Sequence, residues 1–328
     1  MIQDLNHRSI RYLRLSLTQA CQMRCVYCRP DFHTNAHGHD GELTPAEINQ
    51  LVRHLACRHG VRKVRLTGGD PTAHPQLVEI IRLIAGIRTS DNHRLELAMT
   101  TNGLALASHA AQFAAAGLQR VNISLDSLDI RTFHEVTGLD ALPQVLAGIE
   151  AAVAAGLSPV KLNCVVLRGK NQHQLPEILE FAAARGLELR FIEMMPMGPL
   201  RDRWHSLYMP AAEIRRAIEP AVECMQPLVQ GAGSARNFRV LTRSGKITTL
   251  GFITPMSCNF CANCDRLRIT SDGNVYPCLM DEPRGRLLPA LRPAFHAADV
   301  DDILVQAYAR KKPEHPAWGH TIMTQLGG

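Results

Sequence analysis

From residue 12 to about 195 the chain repeats one pattern: a short β-rich run, a turn, then an amphipathic stretch that closes on glycine. The strand candidates are Tyr12–Leu17, Lys63–Thr67, Leu95–Thr100, Val121–Leu125, Val160–Val166 and Leu189–Glu193. Helical periodicity fills the gaps. The first helix carries the clearest start signal. Thr44 is its N-cap, Pro45 takes the first helical position, and Glu47 completes a capping box. It ends at Gly60, and later helices end at Gly117, Gly156 and Gly186, as the left-handed C′ position favours. Six β–α units in succession predict a parallel sheet. Right-handed crossovers curl such a chain into a barrel or a doubly wound sheet. A closed barrel needs eight units, so six predict a partial barrel with its open side free for a large ligand.

Parallel strands covered on both faces read as nearly continuous apolar runs. These do not. Arg14, Ser16 and Thr18 alternate along the first strand, and Lys63, Arg65 and Thr67 along the second. Lys161 and Asn163 do so on the fifth, and Arg190 sits on the sixth. Side chains two apart share a face, so one face of the sheet carries several cations. One such strand reads as a solvated edge. Four together read as a hollow barrel whose lumen binds something highly anionic, such as a triphosphate. The turns Thr67-Gly68-Gly69-Asp70-Pro71, Thr100-Thr101-Asn102-Gly103 and Ser124-Leu125-Asp126 follow the strands. Each alone is ordinary turn chemistry, but all lie on the rim where parallel barrels build active sites. After about residue 200 the pattern changes. A short helix near Ala211–Ile218 and a Gly-rich stretch lead to a hairpin from Phe238–Thr242 and Lys246–Ile253. This predicts a barrel domain over 1–215 and a C-terminal domain over 216–328.

A chain of 328 residues is long enough for such an arrangement. Its net charge of +6 is mild and suits an anionic small substrate, with no nucleic-acid partner expected. The N-terminus has no apolar signal region, and no apolar run reaches membrane length. The expectation is a cytoplasmic protein with no membrane partner. Ten cysteines then read as metal ligands rather than disulfides. Cys21-x3-Cys25-x2-Cys28 can hold three irons of a 4Fe–4S cluster and leave the fourth open for chemistry. The alternative is a zinc knuckle, which needs a fourth ligand such as His33. Cys258-x2-Cys261-x2-Cys264-x13-Cys278 can make a tetrathiolate zinc site, or three of the four can hold a second cluster. Between these ligands, Arg266 and Arg268 share a face if the segment is extended, where they could reach phosphate or a substrate radical or anion. Each alone reads as part of a solvated basic strand. The terminal Gly327-Gly328 reads either as a disordered end or as a segment thin enough to enter a narrow cavity.

The run from Tyr12-Leu-Arg14-Leu-Ser-Leu-Thr18 to Cys21, Cys25, Tyr27 and Cys28 resembles the radical S-adenosylmethionine superfamily. Within it, the chain closely resembles the GTP 3′,8-cyclase (molybdenum cofactor biosynthesis protein A) family over essentially its whole length. The carrying motifs are Lys63-Val-Arg65-Leu-Thr-Gly-Gly69, Thr100-Thr-Asn-Gly, Asn122-Ile-Ser124-Leu-Asp, Arg190-Phe-Ile-Glu-Met-Met195 and Phe260-Cys261-x2-Cys264-Asp-Arg266-Leu-Arg268-Ile-Thr, with Cys278-Leu and the terminal Gly-Gly.

The resemblance implies a partial (βα)6 TIM-type barrel, a C-terminal domain carrying a second cluster, and a homodimer. It implies two 4Fe–4S clusters, held by Cys21, Cys25 and Cys28 and by Cys261, Cys264 and Cys278. S-adenosylmethionine would lie against Tyr27, Gly69, Ser124 and Met195. GTP would contact Arg14, Lys63, Arg65, Thr100, Lys161, Arg190, Arg266, Leu267 and Arg268, with Arg266 and Arg268 as the catalytic candidates. The implied reaction converts GTP to (8S)-3′,8-cyclo-7,8-dihydroguanosine 5′-triphosphate, the first step of molybdenum cofactor biosynthesis. An electron donor such as a flavodoxin or ferredoxin would serve it, and the Gly-Gly tail would enter the site. Three departures stand out: Asp70 where the family has Glu, Asp265 where Asn is frequent, and Cys258 as an extra thiol near the second trio. Two other functions stay open: a radical enzyme that modifies a peptide, and a zinc- or cluster-containing regulatory protein.

Overall fold

A computed structural model describes residues 2–28, 41–229, 231, 233–319 and 323–327. His33 and Gly328 lie outside the described residues. Six strands, β1 (Tyr12–Ser16), β2 (Lys63–Thr67), β3 (Glu96–Thr101), β4 (Arg120–Ser124), β5 (Lys161–Val166) and β6 (Glu188–Glu193), pair in parallel in chain order. The intervening helices are α1 (Pro45–His59), α2 (Leu77–Ala85), α3 (Leu106–Ala115), α4 (Ile130–Thr137), α5 (Leu142–Ala154) and α6 (Leu175–Ala184). Two of them, α4 and α5, separate β4 from β5, where the repeat predicted one.

The period-2 pattern decides which face meets the helices. Leu13, Leu15, Val64, Leu66, Leu97, Met99, Val121, Ile123, Leu162 and Leu189 are fully buried in one core with Ile48, Leu51, Ile80 and Ile149 of the helices. The opposite face carries the polar residues. The capping box at α1 forms as its sequence predicts. Thr44 accepts from the Glu47 backbone N–H, and the Glu47 carboxylate accepts from Thr44 N at 2.7 Å. Gly60 closes the helix at φ 73°. Arg292 then donates to both Glu47 oxygens, at 2.5 and 3.0 Å, and ties the C-terminal region to this helix start.

The C-terminal region continues the sheet at both ends. β7 (Val222–Pro227), β8 (Ala235–Thr242) and β9 (Ile247–Ile253) form an antiparallel meander, and β9 runs parallel to β6. At the other edge β10 (Arg266–Ile269) runs parallel to β1, with β11 (Val275–Tyr276) outside it. The order is β11-β10-β1-β2-β3-β4-β5-β6-β9-β8-β7. The open barrel edges are therefore paired by the later part of the chain, which removes two exposed rows of backbone donors and acceptors. No single helix among the described residues is long and apolar enough to cross a membrane.

Candidate active site

The inner face of the sheet surrounds a cavity of about 530 Å³. Ladder register sets Arg266, Tyr12, Lys63 and Glu96 in one row and Arg268, Arg14 and Arg65 in the next. Asn163 and Arg190 pair on the far side. Glu96 pairs with Arg120 and, at 3.4 Å, with Lys63, while Glu188 pairs with Lys161. Arg65 donates to Thr100 Oγ1 at 3.3 Å. Buried Nε atoms of Arg65, Arg190 and Arg266 find no hydrogen-bond partner among the described residues.

Burial and crowding depress these cations. Lys63 falls to about 8 through burial, with Arg120 beside it, and Lys161 to about 8 through burial and Arg190. Arg190 and Arg268 fall to about 10, chiefly through burial. Buried nitrogens without partners, in a cluster of like charges, form a site that an anion would stabilise.

At the rim, Cys21, Cys25 and Cys28 line the cavity together with Tyr27, Gly69, Ser124 and Met195. The loop is tied down from both sides. Arg24 and Val26 donate their backbone N–H to Thr137 O and Val136 O at the end of α4. Asn102 Nδ2 donates to Cys21 Sγ at 3.8 Å and to Gln22 Oε1 at 2.8 Å. Tyr27 donates to Asp126 at 2.5 Å, and Asp126, pushed up by burial to about 6, also accepts from Val165 N. Gly69 N donates to Thr18 O and Asp70 N to Ala20 O, and a Cβ on Gly69 would overlap Ala20 O. Only glycine lets the two loops approach this closely. Cys25 is pushed up by burial and by Asp126, Cys28 and Cys21. Three thiols that repel one another's charge in this way are a set that a cationic cluster would deprotonate together.

The second trio stands at the β10 edge. Burial pushes Cys261 and Cys278 up, and each also feels Cys264. Cys264 is pulled down because Lys311 and Arg266 outweigh its burial. The three sulfurs themselves are not in the cavity lining, but Phe260, Asp265 and Leu279, next to them in the chain, are. Arg268 feels both Cys278 and Cys264, and so stands between this trio and the lumen. Arg8 donates to Cys261 O at 2.6 Å, and Lys311 Nζ to Arg266 O at 2.7 Å. Cys258 is exposed, and Arg236 donates to its sulfur at 2.7 Å.

Among the described residues, one set of three possible metal-ligand atoms lies within 4.8 Å of one another: His54, His59 and Asp301, outside the lumen. There Asp301 Oδ1 already accepts from both rings and Oδ2 from Arg58. Among the described residues neither cysteine trio closes to that span.

The sequence matches the Radical SAM superfamily over residues 15–182 and Molybdenum Cofactor Synthesis C over residues 187–317. The GTP 3′,8-cyclase of Pelotomaculum thermopropionicum is 39% identical, with all of both chains covered. GTP 3′,8-cyclase 1 of Pseudomonas aeruginosa is 40% identical over 95% of this chain and 93% of its own. The chain belongs to the GTP 3′,8-cyclase family. Within this family it is a radical S-adenosylmethionine lyase with two 4Fe–4S clusters. Streptococcus suis SuiB bound to S-adenosylmethionine superposes with a TM-score of 0.60 over 96% of this chain and 77% of its own, at 14% identity, and shares the fold.

Cyclase membership gives the departures a structural setting. Asp70 is buried, and its oxygens accept from Thr72, Thr101 and Asn102. It therefore braces two rim turns instead of facing the cavity as a free carboxylate. Leu267 is fully buried in the core on the outer face of β10, which leaves only its main chain near the lumen. Lys161 lies outside the cavity lining, against Glu188. Gly327 enters the site: its carbonyl accepts from Arg268 at 3.1 Å, and a Cβ there would overlap Thr67 Oγ1. Sequence reasoning missed Tyr12, Glu96, Arg120 and Glu188, although the period-2 rule that found Lys63 and Asn163 puts all four on the inner face. Arg8 and Lys311 had no local signal.

Proposed function

We propose that the lumen holds GTP between the two thiol trios for conversion to (8S)-3′,8-cyclo-7,8-dihydroguanosine 5′-triphosphate, the first step of molybdenum cofactor biosynthesis. The observation that carries this assignment is the set of buried arginine nitrogens, on Arg65, Arg190 and Arg266, that find no partner among the described residues and belong to the cavity that the first trio lines. Cys21, Cys25 and Cys28 would hold one 4Fe–4S cluster, and Cys261, Cys264 and Cys278 the other. S-adenosylmethionine would sit against Tyr27, Gly69, Ser124 and Met195. When bound, these groups supply a 5′-deoxyadenosyl radical and a ligation point for the base.

The chain's own residues orient and protect. Arg14, Lys63, Arg65 and Arg190 would neutralise the triphosphate, with Lys161 behind them against Glu188, and Thr100 would fix its register. Arg266 and Arg268, on the edge facing the second trio, would donate to charge developing on the base, with the Leu267 main chain between them. The enclosing sheet keeps solvent from the reacting carbon. We assign the barrel to residues 1–215 and the second-cluster domain to 216–328. A homodimer in the cytoplasm, reduced by a flavodoxin- or ferredoxin-type donor, completes the proposal.

The test is anaerobic reconstitution followed by incubation with S-adenosylmethionine, GTP and reductant. The expected result is GTP-dependent 5′-deoxyadenosine with about eight irons per chain, unchanged in Cys258→Ser. S-adenosylmethionine cleavage without GTP binding or consumption would overturn the substrate assignment.

A further inference from the structure

Tyr12 lines the lumen from β1 and is 9% exposed. Ladder register puts Lys63 of β2 on one side of it and Arg266 of β10 on the other. Lys63 Nζ lies 4.8 Å from the ring centroid, and the guanidinium carbons of Arg65 and Arg266 lie 5.8 Å from it. Arg14 shares the face two residues along the strand. Farther round the lumen stand Glu96 of β3, Arg120 of β4, and Glu188 and Arg190 of β6. Asp265, just before β10, accepts from the Tyr12 backbone N–H. Both glutamates are engaged, Glu96 by Lys63 and Arg120 and Glu188 by Lys161. The Asp265 carboxyl also lines the cavity and feels Arg266 and Lys63, so the phenol shares those two cations with it and is a further ionisable acid set against Arg65. Burial pushes the phenol up, but Arg65, Arg14, Arg266 and Lys63 together outweigh it and bring it down to about 7.

We propose that Tyr12 is the built-in counterion of the ligand-free lumen, and that nucleoside triphosphate binding displaces this role and returns a proton to the phenolate. The inference rests on the reading that the lumen takes GTP. A triphosphate brings several negative charges among the same guanidinium groups. The cations then no longer favour the phenolate, while the burial that disfavours it remains. The O–H bond forms at the Tyr12 oxygen with a proton from bulk water, and no electron moves. The sign follows from linkage. Below about pH 7 the phenol is neutral in both states, and affinity does not depend on it. Above that pH the lumen must capture a proton to bind, so affinity weakens as pH rises, approaching tenfold per unit.

Calorimetry of the reconstituted holoenzyme with GTP, at about pH 7.5 in buffers of different ionisation enthalpy, counts the protons. Wild type should take up roughly three-quarters of a proton more than Tyr12→Phe. Lys63 and Lys161, both near 8, add uptake of their own. The comparison is therefore repeated on a Lys63→Arg background, where the difference should persist. Wild-type near-ultraviolet difference spectra give a readout that needs no variant: GTP should bleach tyrosinate absorbance. Equal uptake with and without the phenol, or an unchanged tyrosinate spectrum, while GTP binds, overturns this inference alone. No GTP binding at all overturns the substrate reading and this inference with it.

Discussion

Asp70 is one methylene shorter than the family's Glu, yet it is fully used. Its oxygens accept from Thr72 N at 2.9 Å, Asn102 N at 2.6 Å and Thr101 Oγ1 at 2.8 Å. Burial pushes the carboxyl up against the pull of these donors. Removing it strands two backbone N–H groups, each costing about 1–3 kcal/mol when buried. Asp70→Ala should therefore lower unfolding free energy by about 3 kcal/mol in chemical denaturation. It should also weaken S-adenosylmethionine binding, because the braced turns Gly68–Asp70 and Thr101–Asn102 both border the first cysteine loop. Full stability in this variant would show that the carboxylate braces nothing. Residue type at this position was legible in the sequence. Its role was not, because its partners Thr101 and Asn102 come from another turn that only folding brings near.

At the scale of elements, local chemistry carried furthest where a signal sits entirely within one segment. The α1 start is such a case, since Thr44, Pro45 and Glu47 satisfy one another within a single turn. Thr44→Ala should cost about 1 kcal/mol, read as a lower denaturant midpoint with an unchanged slope. No change in midpoint would mean that Arg292 alone holds Glu47. β2 matches its expected bounds for a similar reason: its alternation is strict and glycines stop it. β7, β10 and β11 were not read as strands. β10 is four residues flanked by cysteine loops, and the edge of β1 supplies its hydrogen bonds.

Across the whole molecule, the chain's end reaches its beginning. Gly327 sits at φ 72° against Thr67, and Arg268 donates to its carbonyl. A side chain there meets both backbone strain and overlap. Gly327→Ala should abolish GTP-dependent 5′-deoxyadenosine formation or cut it by orders of magnitude, while iron content and thermal midpoint stay at wild-type values. Retained turnover would mean that the tail can leave the lumen without consequence.

The sequence by itself determined the six β–α units, the inward row of cations and the two sets of thiols with their spacing. Each is a matter of period or local spacing, which a strand or loop imposes on its own side chains. Tertiary structure decided the rest. It paired β10 with β1 and β9 with β6, set Arg236 against Cys258, and enclosed Tyr12 between Lys63 and Arg266. Those outcomes depend on which edges meet. Edge pairing between the two ends of a chain is set by collective burial and hydrogen bonding, and no short window of residues contains that information.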